Sequence, residues 1–149
     1  MSPLNRRSFL RATGGAALAA AMAPVFADPA DPTRRLVAHP GGLPRRVLGK
    51  TGRAISIVGF PGLALSRVTQ DEANAAVRAS FDHGMNYFDT APSYGKGTAE
   101  IALGPALAPL PRAEVFLSCK TRRRDAAGAR EELEESLRRL KTDYFDLYQ

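Results

Sequence analysis

A strand-like segment recurs at a regular interval through most of the chain. Four apolar runs rich in β-branched and aromatic residues start 30, 30 and 29 residues apart, at residues 55–60, 85–89, 115–120 and 144–149. Helical patterns fill the intervals between these runs. Strand–helix units that repeat in this way form parallel sheets, so the period restricts the fold to the α/β class.

The intervals between the runs carry helix signals of different strength. Thr69 and Glu72 form a capping-box pattern, in which the hydroxyl and the carboxylate each satisfy a free backbone N–H. An apolar stripe with helical spacing follows over residues 73–81, and Gly84 supplies a left-handed stop. In the next interval Pro105 removes an internal hydrogen bond, which predicts a short helix that is broken or kinked there.

The length of the repeating unit suggests a particular parallel fold. Eight such units make about 240 residues, near the size of a (β/α)8 barrel. The 149 residues provide four units. We therefore predict the N-terminal half of a TIM barrel, within a longer polypeptide. A small open doubly wound sheet is the alternative, and it is disfavoured because no Gly-x-Gly-x-x-Gly loop follows the first run. Ahead of the units, residues 45–48 and 54–57 flank a glycine-bearing turn, which predicts a β-hairpin.

Residues 1–27 have the layout of an export signal. Three arginines within residues 6–11 precede the weakly apolar stretch 12–23, which is too short to cross a bilayer. Small residues at 25 and 27 indicate a cleavage site. The Arg-Arg-Ser-Phe-Leu order resembles twin-arginine signals. It predicts a bacterial chain that uses the twin-arginine export machinery, lies in the periplasm and has no stable membrane anchor.

Composition excludes several classes of partner. The formal net charge is +6, but three of the basic residues lie in the signal-like segment and the rest are spread along the chain. A nucleic-acid partner is therefore not expected. The single cysteine, Cys119, excludes an internal disulfide, and with two histidines no metal site is expected. We expect Cys119 to be a buried packing residue. Prolines and glycines make residues 28–44 a linker without a regular element.

Three reactive side chains fall at the ends of neighbouring runs. Asp89 ends the second run, Tyr94 follows in the next loop, and Lys120 ends the third run. The reactive groups of a parallel barrel gather at the carboxyl ends of its strands, so one rim should hold all three. A phenol is a weak acid at neutral pH, and a nearby ammonium lowers its pKa. We predict that Tyr94 donates a proton, tuned by Lys120, which Asp89 holds. A purely structural Asp89–Lys120 ion pair is the alternative.

Three blocks of sequence resemble the aldo-keto reductases. These blocks are residues 86–95, 115–121 and 140–149, and the resemblance covers residues 45–149. It implies a (β/α)8 barrel with a hairpin at its floor, and hydride transfer from NADPH to a small aldehyde or ketone. It also implies a catalytic tetrad of Asp, Tyr, Lys and His, of which the first three correspond to Asp89, Tyr94 and Lys120. The histidine would follow Gln149, so the 149-residue chain is expected to be an inactive fragment.

The resemblance assigns only part of a cofactor site to this chain. For NADP(H) it implies contacts at Gly59 and Phe60, where the first strand ends, and at Asp89. Two other functions remain open at this point. One is a non-catalytic cofactor-binding or regulatory member of the same fold, and the other is a different barrel enzyme, such as a hydrolase that uses Asp89 with a metal.

Overall fold

A small antiparallel sheet precedes the repeating units. The computed structural model describes residues 36–37 and 42–149, so the predictions for residues 1–27 lie outside the described residues. The sheet contains β1 (Leu36–Val37), β2 (Arg45–Val47) and β3 (Ala54–Ser56), in that order. Strand β1 corrects the expectation that residues 28–44 lack a regular element. Neither of its residues is a proline, so both keep the backbone N–H that pairing with β2 requires.

The repeating units form a parallel sheet with its strands in chain order. These strands are β4 (Phe60–Pro61), β5 (Tyr87–Asp89), β6 (Phe116–Cys119) and β7 (Leu147–Tyr148). Each pairs in parallel with the next, which confirms the α/β class. The run at 55–60 is divided between the two sheets. The Ser56 hydroxyl donates to the Val58 carbonyl at 2.7 Å, and the chain bends between β3 and β4.

Three α-helices connect the parallel strands. They are α1 (Gln70–Asp82), α2 (Thr98–Leu107) and α3 (Ala126–Leu140), accompanied by short 3-10 turns at Gly62–Arg67 and Arg112–Glu114 and by a turn with left-handed residues at Tyr94–Gly97. The capping box before α1 is confirmed, since Thr69 accepts from the Glu72 N–H and Glu72 accepts from the Thr69 N–H. Over the described part of the chain, we find no helix with the length and apolar character to cross a membrane.

Helix α2 is short, as predicted, and of the two predicted outcomes at Pro105, a break or a kink, the break is wrong. Pro105 lies inside the helix, which continues to Leu107. The proline removes the hydrogen bond that residue 105 would donate to the carbonyl of Ile101. Ile101 is an exposed residue of the helix. Gly104 has a packing role, since a Cβ atom there would lie 2.7 Å from the Arg139 carbonyl oxygen at the end of α3.

The hydrophobic core lies between the parallel sheet and the helices. It joins residues of every layer, among them Phe60, Val77, Phe88, Leu103, Leu117 and Leu140. All four residues of β6 are buried, as expected for a parallel strand covered on both faces. Cys119 is completely buried in this strand, which confirms the prediction of a packing residue.

Candidate active site

Two of the predicted site residues lie at the carboxyl ends of adjacent strands. Asp89 is the last residue of β5 and is in register with Ser118 of β6. Lys120 follows β6 directly. Tyr94 begins the turn that leads into α2. The parallel register therefore brings all three side chains to the same edge of the sheet.

The Lys120 ammonium contacts both other groups. Its Nζ lies 2.9 Å from Asp89 Oδ1, 2.6 Å from Asp89 Oδ2 and 3.0 Å from the Tyr94 hydroxyl oxygen. The Tyr94 hydroxyl is also 3.4 Å from Asp89 Oδ2. The structure thus brings Asp89, Tyr94 and Lys120 into one cluster, with the ammonium at its centre.

The cluster holds Lys120 in its charged form. Burial alone would lower the pKa of Lys120, but the hydrogen bonds to Asp89 and Tyr94 outweigh burial and raise it above the ordinary value of 10.5. The side chains of Lys120 and Asp89 are each 28% exposed, so the cluster remains open to solvent. The Tyr94 phenol therefore has a positive charge beside it at a partly exposed edge of the sheet.

One residue of the cluster escaped the sequence analysis. Ser118 is buried, and its hydroxyl donates to Asp89 Oδ1 at 2.7 Å. It orients the carboxylate that holds Lys120. The signal for it was strand alternation, because residues 118 and 120 are two apart and project to the same face of a strand.

Of the three residues predicted to bind a cofactor, Asp89 belongs to this cluster, whereas Gly59 and Phe60 lie apart from its hydrogen bonds. Phe60 is a core residue whose ring centre is 5.5 Å from that of Phe88. A Cβ atom on Gly59 would lie 2.7 Å from the ring of Tyr87, so glycine at this position allows Tyr87 to approach closely. Pro61 is the β4 residue in register with Asp89. A role for Gly59 and Phe60 in cofactor binding stays a prediction.

The surroundings of Asp89 are those of an ion pair. Both of its carboxylate oxygens contact the Lys120 ammonium. Within the described ranges, no group of three His, Cys, Asp or Glu side chains is arranged to hold a metal ion. The site therefore places a phenol and a carboxylate beside one cation.

The fold is of the α/β class, with an acid, a phenol and an amine together at the carboxyl edge of a parallel sheet. A sequence model of the aldo/keto reductase family matches residues 57–149, which is more than half of the chain. The chain belongs to the aldo/keto reductase family.

Individual relatives agree with this assignment. L-galactose dehydrogenase of Arabidopsis thaliana is 39% identical over 114 residues, covering 68% of this chain and 36% of that protein. An aldo-keto reductase of Bacillus halodurans, solved in its holo form, superposes with a TM-score of 0.64 at 32% identity, covering 72% of this chain and 39% of that one. The aldo-keto reductase of Klebsiella pneumoniae in complex with NADPH superposes with a TM-score of 0.60 at 35% identity, covering 65% of this chain and 35% of that one. The chain thus spans about a third of the length of these relatives.

Proposed function

We propose that the chain carries the proton-donating part of an NADP(H)-dependent reductase of small aldehydes or ketones. The observation that carries this proposal is the Lys120 ammonium, shared between Asp89 at 2.6 Å and the Tyr94 hydroxyl at 3.0 Å on an open rim. Membership of the family and the NADPH complex of the Klebsiella relative support the choice of cofactor.

The rim has features that suit a nicotinamide cofactor and a carbonyl substrate. When bound, NADPH supplies a hydride to the carbonyl carbon. Asp89 and Lys120 are partly exposed and face the solvent from which both molecules arrive. We propose that Asp89 borders the nicotinamide. Gly59 and Phe60 were expected at the end of the first strand, but they lie at the start of β4, before Pro61, the residue in register with Asp89.

Tyr94 would complete the reduction by protonating the substrate oxygen. The O–H bond of the phenol breaks as the new alcohol O–H forms, which leaves a negative charge on the Tyr94 oxygen. Lys120 Nζ stabilises that charge at 3.0 Å until solvent returns a proton. Asp89 holds the ammonium in place, and Ser118 holds Asp89.

An exchange of segments with a relative tests this role. Residues 57–149 would replace the matching part of the Klebsiella reductase, and NADPH oxidation would be followed with a panel of small aldehydes and ketones. We expect turnover in the hybrid and a loss of about 10²–10⁴-fold on Tyr94→Phe, the usual contribution of general acid catalysis. Tyr144→Phe is the matched control and should keep full turnover. Unchanged turnover in the Tyr94→Phe hybrid would refute the proposal.

We further propose that the 149-residue chain does not catalyse turnover alone. The described residues provide four parallel strands and three members of the expected tetrad, and the chain spans about a third of its relatives. The measurement is carbonyl-dependent NADPH oxidation by the purified chain. Clear turnover that disappears on Tyr94→Phe would show this part of the proposal to be wrong.

Residues 1–27 are proposed to direct export of the folded protein to the periplasm through the twin-arginine machinery. The support is the pair Arg6-Arg7 ahead of a short apolar stretch. A reporter fused after residue 35 should reach the periplasm, and Arg6→Lys with Arg7→Lys should retain it in the cytoplasm. Export that is indifferent to this double substitution would contradict the proposal.

A further inference from the structure

Three consecutive left-handed residues follow Tyr94. Gly95, Lys96 and Gly97 have φ angles of 59°, 55° and 93°. This conformation is unfavourable for a residue with a side chain, and Lys96 is such a residue. A backbone of this kind persists only where its surroundings hold it, so the position of Tyr94 depends on what packs against the turn.

An arginine of α3 covers the end of this turn. A Cβ atom on Gly97 would lie 2.7 Å from Nη1 and 2.9 Å from Cζ of Arg139, so the guanidinium lies directly against the glycine backbone. The same Nη1 is 3.1 Å from Glu100 Oε2, and Arg139 Nε is 3.0 Å from Glu135 Oε1. Two carboxylates therefore fix the guanidinium in its place.

Glu100 is fully buried in the first turn of α2. A buried carboxylate is costly unless a cation and hydrogen bonds compensate its charge, and Arg139 provides that cation. The other oxygen of Glu100 lies 3.6 Å from the Cys119 sulfur, directly before Lys120. Burial, followed by the negative charge of Glu100, raises the pKa of the Cys119 thiol to about 12, so the thiol stays a neutral donor.

Glu100 therefore connects Arg139, which packs on the turn after Tyr94, with Cys119, the residue before Lys120. Through Arg139 it supports the turn that begins with Tyr94, and through Cys119 it contacts the strand that ends before Lys120. We infer that Glu100 and Arg139 are positioning residues, which keep the Tyr94 hydroxyl within hydrogen-bonding distance of Lys120. This inference rests on the proposed function, in which that contact prepares Tyr94 for proton donation.

The test observes Tyr94 directly in the 149-residue chain and needs neither cofactor nor turnover. The chain has four tyrosines, which are labelled with ¹³C at Cζ. The resonance that disappears in Tyr94→Phe belongs to Tyr94, and its position in Lys120→Met defines the state without the ammonium contact. The test variant is Glu100→Gln, which keeps the shape of the side chain and removes its charge.

We expect Glu100→Gln to move the Tyr94 resonance toward its position in Lys120→Met. The matched control is Arg130→Gln, because Arg130 is an exposed arginine of the same helix. The control should leave the resonance in place. A folded Glu100→Gln variant with an unmoved Tyr94 resonance overturns the inference, whereas a Lys120→Met variant without a shift contradicts the proposed function itself.

A second variant covers the case in which Glu100→Gln does not fold, as judged by circular dichroism. Arg139→Lys keeps the positive charge but loses the planar group that lies against Gly97, so it should shift the Tyr94 resonance in the same direction. If Arg139→Lys folds and leaves the resonance unmoved, the inference is wrong. If neither variant folds, the pair serves folding alone and the inference is equally wrong.

Discussion

The two ends of the parallel sheet each carry an aspartate in contact with basic side chains, but the two clusters differ in what they bind. At the amino ends of β6 and β7, Asp146 lies 3.0 Å from both Arg112 Nη1 and Arg53 Nη2, and it accepts the Leu117 N–H at 2.9 Å. At the carboxyl ends, the partners of Asp89 are side chains.

The difference in partners separates a structural cluster from a reactive one. Arg112 also donates to the carbonyls of Val115 and Tyr144, at 2.9 and 2.8 Å, so its donors hold backbone segments together. The Asp146 side chain is only 9% exposed, against 28% for Asp89. The Asp146 cluster binds backbone groups, so we expect it to contribute mainly to stability. The Asp89 cluster binds side chains beside solvent, so its groups remain accessible to a substrate.

The largest expected effect is on turnover at the carboxyl end. Lys120→Met removes the charge beside the phenol, so we expect the hybrid with the Klebsiella reductase to lose about 10²-fold or more in turnover. In the Tyr94→Phe background the same change should add little, because the two residues act as a unit. If the losses of turnover in the two single variants simply add in the double variant, Lys120 does not act through Tyr94.

The next effect is on stability at the amino end. Asp146→Asn weakens two ion pairs and a backbone hydrogen bond in a nearly buried position. We expect the free energy of unfolding to fall by about 2–3 kcal/mol, measured by urea denaturation. Asp143→Asn is the control, since Asp143 is an exposed neighbour, and it should change stability by less than about 0.5 kcal/mol. Equal losses in both variants would remove the distinction between the two ends.

The same substitution at the carboxyl end should cost less stability. Asp89→Asn weakens a partly exposed ion pair, so we expect the free energy of unfolding to fall by about 1 kcal/mol or less. Turnover of the hybrid should nevertheless fall strongly, because the Lys120 ammonium loses the negatively charged partner that positions it. A loss of stability as large as that of Asp146→Asn would indicate that Asp89 is mainly structural.

The smallest effect is the pH dependence of the Lys120 contribution to stability. Its pKa is raised in the folded chain, so the stabilisation is complete below the ordinary lysine value of 10.5 and is lost as the pH rises through the folded value. The difference in unfolding free energy between the chain and Lys120→Met should therefore be constant at neutral pH and narrow only under strongly alkaline conditions. A difference that narrows near neutral pH would contradict the raised pKa.

The sequence predicted those features that depend on local pattern. The thirty-residue period located three of the four parallel strands. The positions of Asp89 and Lys120 at strand ends predicted that their side chains lie close together. The capping box of α1 needed only two side chains three residues apart. In each case the determining contacts are close in sequence or follow from the regularity of parallel strands.

The features that the sequence did not predict depend on distant partners. Strand β1 has two residues and exists through its pairing with β2. Helix α2 continues past Pro105, and its Gly104 packs against the end of α3, which is distant in sequence. Glu100 and Arg139 are 39 residues apart, and no periodicity connects them.

The central claim is that the Lys120 ammonium lies beside the phenol of Tyr94 at the open rim. It is tested most directly by nuclear Overhauser contacts in the labelled 149-residue chain, because Nζ is 4.8 Å from the centre of the Tyr94 ring. We expect cross-peaks between the Lys120 side-chain methylene protons and the Tyr94 ring protons. Well-resolved signals from both residues with no such cross-peak would contradict it.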